Sequence, residues 1–373
     1  MKIKIIVSII IFLSISLVSY SQNIYIDYAL QKIINSNKIQ TPHDENGIRI
    51  INKNPCIDIA IKDSSYYILF NNNMAILNIN GESEMYNLPR NAAGQISQYS
   101  SDIFKHNRDF NLLIKGKKSL WIIDKKNLVF LKIKDNLILN YSLRINLNDY
   151  KLTTCTVDKN DDFWFVINSA NQDNIYYTDE LGNIIAYKEK ETFNSKILKI
   201  LNFNDLIYII YLKNNKYFAK CLKDFHKPIP ICSEINSSEI NIDEVLCNEN
   251  RDTLILSDNT NKIIYKYDKL FNENHFKLDE YLFLNNSLYI NGIILIPDDK
   301  LIKIYNTENL TLSKTIYTGL KDNIDGNFIF QSCSIFRVLK FPYSENKFLL
   351  LIRTYERSEI NNIDISNSYI LEL

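Results

Sequence analysis

Apolar residues along this chain come in short bursts, and Asn, Asp, Lys or Gly separates each burst from the next. The stretch DDFWFVINSANQDNIYYTDELGNIIAYKEK (161–190) is representative. Phe163 to Ile167, Ile175 to Tyr177 and Ile184 to Tyr187 are apolar, with polar turns between them. Runs rich in Ile, Val, Tyr and Phe bounded by turn residues predict β-strands. Adding the run before them gives four beats: strand A (Leu152 to Val157), strand B (Phe163 to Ile167), strand C (Ile175 to Thr178) and strand D (Ile184 to Tyr187).

The four beats recur. FNLLIKGKKSLWIIDKKNLVFLKIKDNLILNYSL repeats them with Trp121 where the first segment has Trp164, and CIDIAIKDSSYYILFNNNMAILNINGESEMYNLP repeats them again. Later copies centre strand B on Tyr208, Leu254, Ile294 and Leu349; the first centres it on Tyr67. An Asn opens strand C at Asn73, Asn127, Asn174, Asn215, Asn261 and Asn367. A period of about 40 to 55 residues with four strands per copy is that of propeller blades. The predicted fold is all-β: a single closed β-propeller of seven blades, each of four antiparallel strands. Six blades is the alternative, because the sixth copy is ragged at Gly292 to Pro297. An open β-solenoid would need shorter, more regular rungs. The last copy lacks its outer strand, and the spare segment GIRIINK (Gly47 to Lys53) is predicted to supply it, joining the two chain ends. The implied division is a leader at 1–21, a lead-in at 22–46 in which Ile24 to Thr41 reads as a short helix or a plain lead-in, and the propeller at 47–373.

The leader comes from Met1, Lys2, Ile3 and Lys4, an apolar stretch to Val18, and small residues at Ser19 and Ser21. A basic start, a short apolar core and small residues before Gln22 predict a cleaved secretory signal peptide. Ile5 to Val18 is shorter than the roughly 20 residues that cross a bilayer. The mature protein is expected to be secreted or periplasmic, without a membrane span, and monomeric. Lys plus Arg equals Asp plus Glu at 43 each, which gives no electrostatic footprint for nucleic acid. Gly is scarce at 8 and Pro at 7, so Asn, which tolerates left-handed backbone angles, is expected to do the turn work.

Candidate chemistry is thin. The four His (His43, His106, His226, His275) show no metal-ligand spacing. Asp158-x-Asn160-x-Asp162 matches half of a calcium loop, but Phe163 stands where Gly is needed and Ser169 where Glu is needed. It reads better as an A–B turn whose carboxylates cap backbone N–H groups. No nucleophile elbow, dinucleotide fingerprint or phosphate loop occurs. No catalytic residue, metal or cofactor is assigned. Cys56 and Cys333 would become neighbours on ring closure, and Cys221 and Cys232 lie on adjacent strands; each pair is either a disulfide or buried packing.

The segment VDKNDDFWFVINSANQDNIYYTDELGNIIAY resembles the repeats of NHL/YVTN-type bacterial β-propellers. Asp158 and Trp164 match their Asp-to-Trp turn, and Ile175, Tyr176, Asp179, Gly182, Asn183 and Ile184 match the hairpin that follows. The other copies mostly replace the Gly. The resemblance implies a propeller fold; because such propellers serve as binding platforms, sensors and some enzymes, it implies no single function.

In a four-stranded antiparallel blade, the B–C and D–A connections leave from one face of the ring. The longest connections belong to that set: Pro89 to Asp109, Gly319 to Gln331, and Tyr355 to Ser366. Long loops on a rigid scaffold are where binding residues concentrate. The ligand-binding residues expected there are Arg90, Gln95, Tyr99, His106, Arg108, Asp322, Gln331, Tyr355 and Arg357. The expected function is non-catalytic binding of a protein, peptide or glycan through that face. The alternative is a propeller-type hydrolase or lyase with an axial site.

Overall fold

The computed structural model describes residues 24–25, 28–35, 38–42, 48–52, 56–70, 73–78, 80–88, 110–134, 137–142, 150–169, 172–179, 183–187, 195–222, 227–232, 240–284, 286–318, 320, 323–324, 330–341, 344, 346–356 and 365–373. The expected leader at 1–21 lies outside the described residues. Among them, no helix is long and apolar enough to cross a membrane.

The chain begins with β1 (Ile24–Tyr25), α1 (Tyr28–Asn35), β2 (Lys38–Pro42) and β3 (Ile48–Asn52). Blade 1 follows as β4 (Cys56–Lys62), β5 (Ser65–Phe70), β6 (Asn73–Asn78) and β7 (Ser83–Asn87). Blade 2 is β8 (Phe110–Lys115), β9 (Leu120–Asp124), β10 (Val129–Lys134) and β11 (Leu137–Ser142). Blade 3 is β12 (Tyr150–Val157), β13 (Phe163–Ser169), β14 (Gln172–Thr178) and β15 (Ile184–Ala186). Blade 4 is β16 (Lys196–Phe203), β17 (Leu206–Lys213), β18 (Lys216–Cys221) and β19 (Ile229–Ile231). Blade 5 is β20 (Glu244–Cys247), β21 (Leu254–Asp258), β22 (Ile263–Tyr267) and β23 (Glu273–Lys277). Blade 6 is β24 (Leu288–Ile290), β25 (Ile293–Asp298), β26 (Leu301–Asn306) and β27 (Leu312–Tyr317). Blade 7 contains β28 (Asn323–Ile324), β29 (Phe330–Lys340), β30 (Lys347–Glu356) and β31 (Ile365–Glu372).

The second strand of each blade explains the apolar bursts. Along β21, Leu254 and Leu256 pack toward blade 4, while Ile255 packs toward blade 6. Side chains alternate between the two faces of a strand. Both faces of a blade are covered by neighbouring blades, so alternation leaves no solvent-facing position, and β9 and β21 are buried throughout. Seven apolar clusters fill seven seams in order round the molecule, and one of them lies between blades 7 and 1. The ring is therefore closed, and it has seven blades.

Closure is not made by the segment expected to make it. Ile48 to Asn52 pairs with Lys38 to Pro42 in a separate two-stranded sheet, not with blade 7. A strand pattern specifies hydrogen-bonding potential but not the edge that satisfies it, and here the preceding strand supplies a local partner. The outer edge of β31 is met instead by β1, where Ile24 pairs with Leu371 and Tyr25 with Ile370. Further along that edge, Gln31 of α1 accepts a hydrogen bond from Ser368 N at 3.0 Å. Leu30 and Ile34, one helical turn apart, insert into the seam beside Ile59, Leu349 and Ile370. An uncovered strand edge is a site for unwanted pairing; here a helix covers part of it.

The inner strands carry a second repeated device. β4, β8, β12, β16 and β29 each contain a bulge, with Ile57, Asn111, Thr153, Leu198 and Phe336 as the extra residues. A bulge re-aims the side chains beside it. Asp58, after the first bulge, accepts Leu113 N of blade 2 at 2.9 Å. Thr154, after the third, accepts Ile200 N of blade 4 at 3.3 Å. Blade 7 has Arg337 at the corresponding place, which cannot accept. It donates to Asp58 at 2.8 Å, turning the link into an ion pair at the seam where the chain ends meet.

The sixth copy is ragged for a local reason. YLFL (281–284) is not its inner strand; β24 is only Leu288–Ile290, turned into β25 through Asn291 and Gly292, both at positive φ. Pro297 pairs with Ile302, beyond the Leu288–Leu295 end of the β24 ladder, so its missing N–H breaks no bond to β24.

Candidate functional site: the face of the B–C and D–A connections

Of the sequence-predicted residues, Arg90, Gln95, Tyr99, His106, Arg108, Asp322 and Arg357 lie outside the described residues. Gln331 and Tyr355 fall in β29 and β30, where the backbone alone is described. Gln331 pairs with Glu356 and Ser332 with Tyr355, so the two positions sit one register step apart at the same end of blade 7.

The described part of this face is dominated by the connection between blades 5 and 6. Leu278 to Ser287 connects blade 5 to blade 6. It crosses the B–C turn of blade 5, held by Leu278 N to Lys262 O at 2.8 Å and Leu282 N to Asn259 Oδ1 at 3.1 Å. Leu284 N donates to Glu244 at the start of β20. Leu282 and Leu284 are buried in the seam between blades 5 and 6, whereas Tyr281 and Phe283 are 55% and 61% exposed. The alternation that suggests a strand is real, but its polar partner is water rather than a neighbouring blade.

Charged groups flank the two rings. Lys303 Nζ lies 2.7 Å from Glu280 and 2.9 Å from Asp298. Tyr305 also donates to Glu280. Hydrogen bonds from Lys303 and Tyr305 hold the Glu280 carboxyl below the usual carboxylate range. Burial alone would lower the Lys303 ammonium, but its bonds to Glu280 and Asp298 outweigh that and raise it. Lys262 Nζ sits 5.1 Å from the centre of the Tyr281 ring, an arrangement attractive to a cation.

The opposite face is built of locked turns. Asp158 Oδ1 accepts Asn160 N at 2.8 Å and Asp162 N at 3.0 Å, and its Oδ2 accepts Trp164 Nε1 at 3.2 Å. Asp161 reaches across the seam and accepts Lys118 N with both oxygens, at 3.0 and 2.8 Å. These carboxylates cap backbone and indole N–H groups. Among the described residues, no three His, Cys, Asp or Glu side chains converge to hold a metal.

None of the six cysteines is in a disulfide. Tyr217 pairs with Ile231, so Cys232 falls level with Lys216, five residues and roughly 17 Å along the strand from Cys221. Cys56 packs in the seam between blades 7 and 1, whereas Cys333 packs in the seam between blades 6 and 7. Neither pair is bridged. Burial pushes the Cys155 thiol up to about 11 and that of Cys247 to about 12.

No protein-family model matches this chain, and no curated protein matches it. Solved structures do. A catalytically inactive virginiamycin B lyase from Staphylococcus aureus, determined with quinupristin, is 12% identical and superposes with a TM-score of 0.56 over 90% of this chain and 99% of that one. A KlHsv2 variant with one loop replaced by a Gly-Ser linker is 11% identical, with a TM-score of 0.52 over 86% and 98%. The Cps50 (Swd1) β-propeller domain from Myceliophteria thermophila is 9% identical, with a TM-score of 0.51 over 91% and 98%. Identities this low carry the fold alone, and with its seven filled seams the chain is a seven-bladed β-propeller.

Proposed function

We propose that this chain is an exported, monomeric, non-catalytic β-propeller that binds a protein, peptide or glycan through the face of its B–C and D–A connections. The observation that carries the reading is the outward pair Tyr281 and Phe283, placed on that face by a segment pinned to the blade beneath it. The buried carboxylates of the frame are engaged in holding turns and seams, as Asp58, Asp158 and Asp161 are. Export fits the leader, and the unbridged thiols do not oppose it. Raised pKa values keep Cys155 and Cys247 protonated and slow to oxidise.

The test is capture of a ligand from the envelope fraction of the source organism. Combined Ala substitutions at Arg90, Tyr99, Arg108, Tyr355 and Arg357 are expected to abolish capture. Substitutions at Lys117 and Lys159, on the opposite face, are expected to leave it intact. The reverse pattern would refute the assignment of the face. Export is tested separately by mass spectrometry, which should find the mature protein beginning at Gln22.

A further inference from the structure

We infer that Tyr281 and Phe283 form a stacking platform for a neutral glycan, a refinement that rests on the binding role proposed for this face. The two rings lie at positions i and i+2 of a segment in which Leu282, between them, and Leu284, after them, are buried. This alternation turns both rings outward, away from the seam. The segment is held at Leu278, Leu282 and Leu284 by hydrogen bonds to blade 5, so the rings are presented on an ordered backbone. Little conformational freedom remains to be lost on binding.

The surroundings select the ligand. Glu280 and Asp298 keep 43% and 49% of their side chains exposed while sharing Lys303, so each has lone pairs left to accept hydroxyl donors. Lys303 is shared by the two carboxylates and Lys262 borders the Tyr281 ring, so charges of both signs lie at the rim and are already engaged with one another. Sugar rings present an apolar C–H face to an aromatic ring and hydroxyl groups at their rim, which matches apolar rings bordered by wet acceptors. A protein partner fits less well. A stable protein interface covers about 800 Å² on each side, and extending contact beyond two side chains would strip water from these ion pairs.

The experiment is isothermal titration calorimetry of the full chain against cellohexaose, maltohexaose, xylohexaose and mannohexaose. At least one is expected to bind. Tyr281→Ala and Phe283→Ala should each weaken that binding by about tenfold. Tyr281→Phe, which keeps the ring, and Leu270→Ala, which changes an exposed apolar residue on the opposite face, should leave it unaltered. Circular dichroism establishes that each variant is folded. The inference is overturned if none of the four sugars binds, or if the Ala variants bind like the parent. Loss of envelope-ligand capture on substituting the long loops would then still support the face while removing the platform.

Discussion

The seam between blades 2 and 3 and the seam between blades 7 and 1 do the same job with different chemistry. The first is aromatic: Trp121 stacks on Phe163 at 5.1 Å, and Phe130 meets Phe163 and Phe165 at 4.9 and 4.8 Å. Its turns are locked by Asp161, and its sequence neighbours are continuous. The second joins the two chain ends. It is mostly aliphatic, plugged by Leu30 and Ile34 of α1, and bridged by the Asp58–Arg337 pair. Packing and hydrogen bonds to backbone N–H groups hold the seam where the chain itself keeps two blades together. Where closure joins segments far apart in sequence, a side-chain ion pair and a helical plug are added.

The sharpest way to break this comparison is to remove the aromatic centre. Trp121→Ala deletes a fully buried ring and is expected to cost about 3–5 kcal/mol in urea unfolding. A loss below about 1 kcal/mol would show that the seam repacks and is not the stronger one. Arg337→Met should come next, at about 2–4 kcal/mol, because it leaves the buried Asp58 carboxylate without its cation. Hydrogen exchange should rise in β4 and β31 and stay unchanged in β9. The pair Asp58→Thr with Arg337→Leu, which imitates the Thr154 link of blade 3, should restore much of the loss. If it does not, the polar contact at closure is not equivalent to the ordinary link.

Gly116→Ala sharpens the other side. A Cβ there would lie 2.1 Å from Asp161 Oδ1, so the carboxylate must leave Lys118 N, at an expected cost of about 1–3 kcal/mol. Stability equal to the parent would mean that the turn lock is dispensable. The smallest effect is expected at Glu280. Its folded pKa is depressed below the ordinary 4.5, so its stabilising contribution is present above that value and fades as pH falls through the folded one. The stability difference between the parent and Glu280→Gln should therefore be visible at pH 6 and shrink on acidification below about pH 4. A difference that grows on acidification would contradict the Lys303 and Tyr305 bonds.

The blades were legible because their central strands must be apolar on both faces, a demand visible in one dimension at Trp121, Trp164 and Leu254. The hairpin motif was only half legible. Gly81 occupies the left-handed position of the C–D turn in blade 1 at φ 94°, but Phe271 and Leu310 hold the corresponding positions at 62° and 50°. Phe271 packs on Phe203 and Tyr208, each at 5.2 Å, and Leu310 is buried between blades 5 and 6. Packing offsets the strain that local propensity would avoid, so a glycine search misses them. The Tyr281–Phe283 platform was hidden because alternating exposure looks the same whether a segment lies in a sheet or over a turn.

Sequence alone determined that this chain forms repeated four-stranded units and which strand lies at the centre of each, while it left six or seven of them open. Those properties depend on periodicity and two-sided burial, which are local. Tertiary structure alone decided how the ring closes. The strand pattern of Gly47 to Lys53 can pair with any free edge, because main-chain hydrogen bonds carry no address. What selects the partner is the packing of α1 and the meeting of Asp58 with Arg337, contacts between residues about three hundred positions apart. No short window of sequence contains both halves of such a contact.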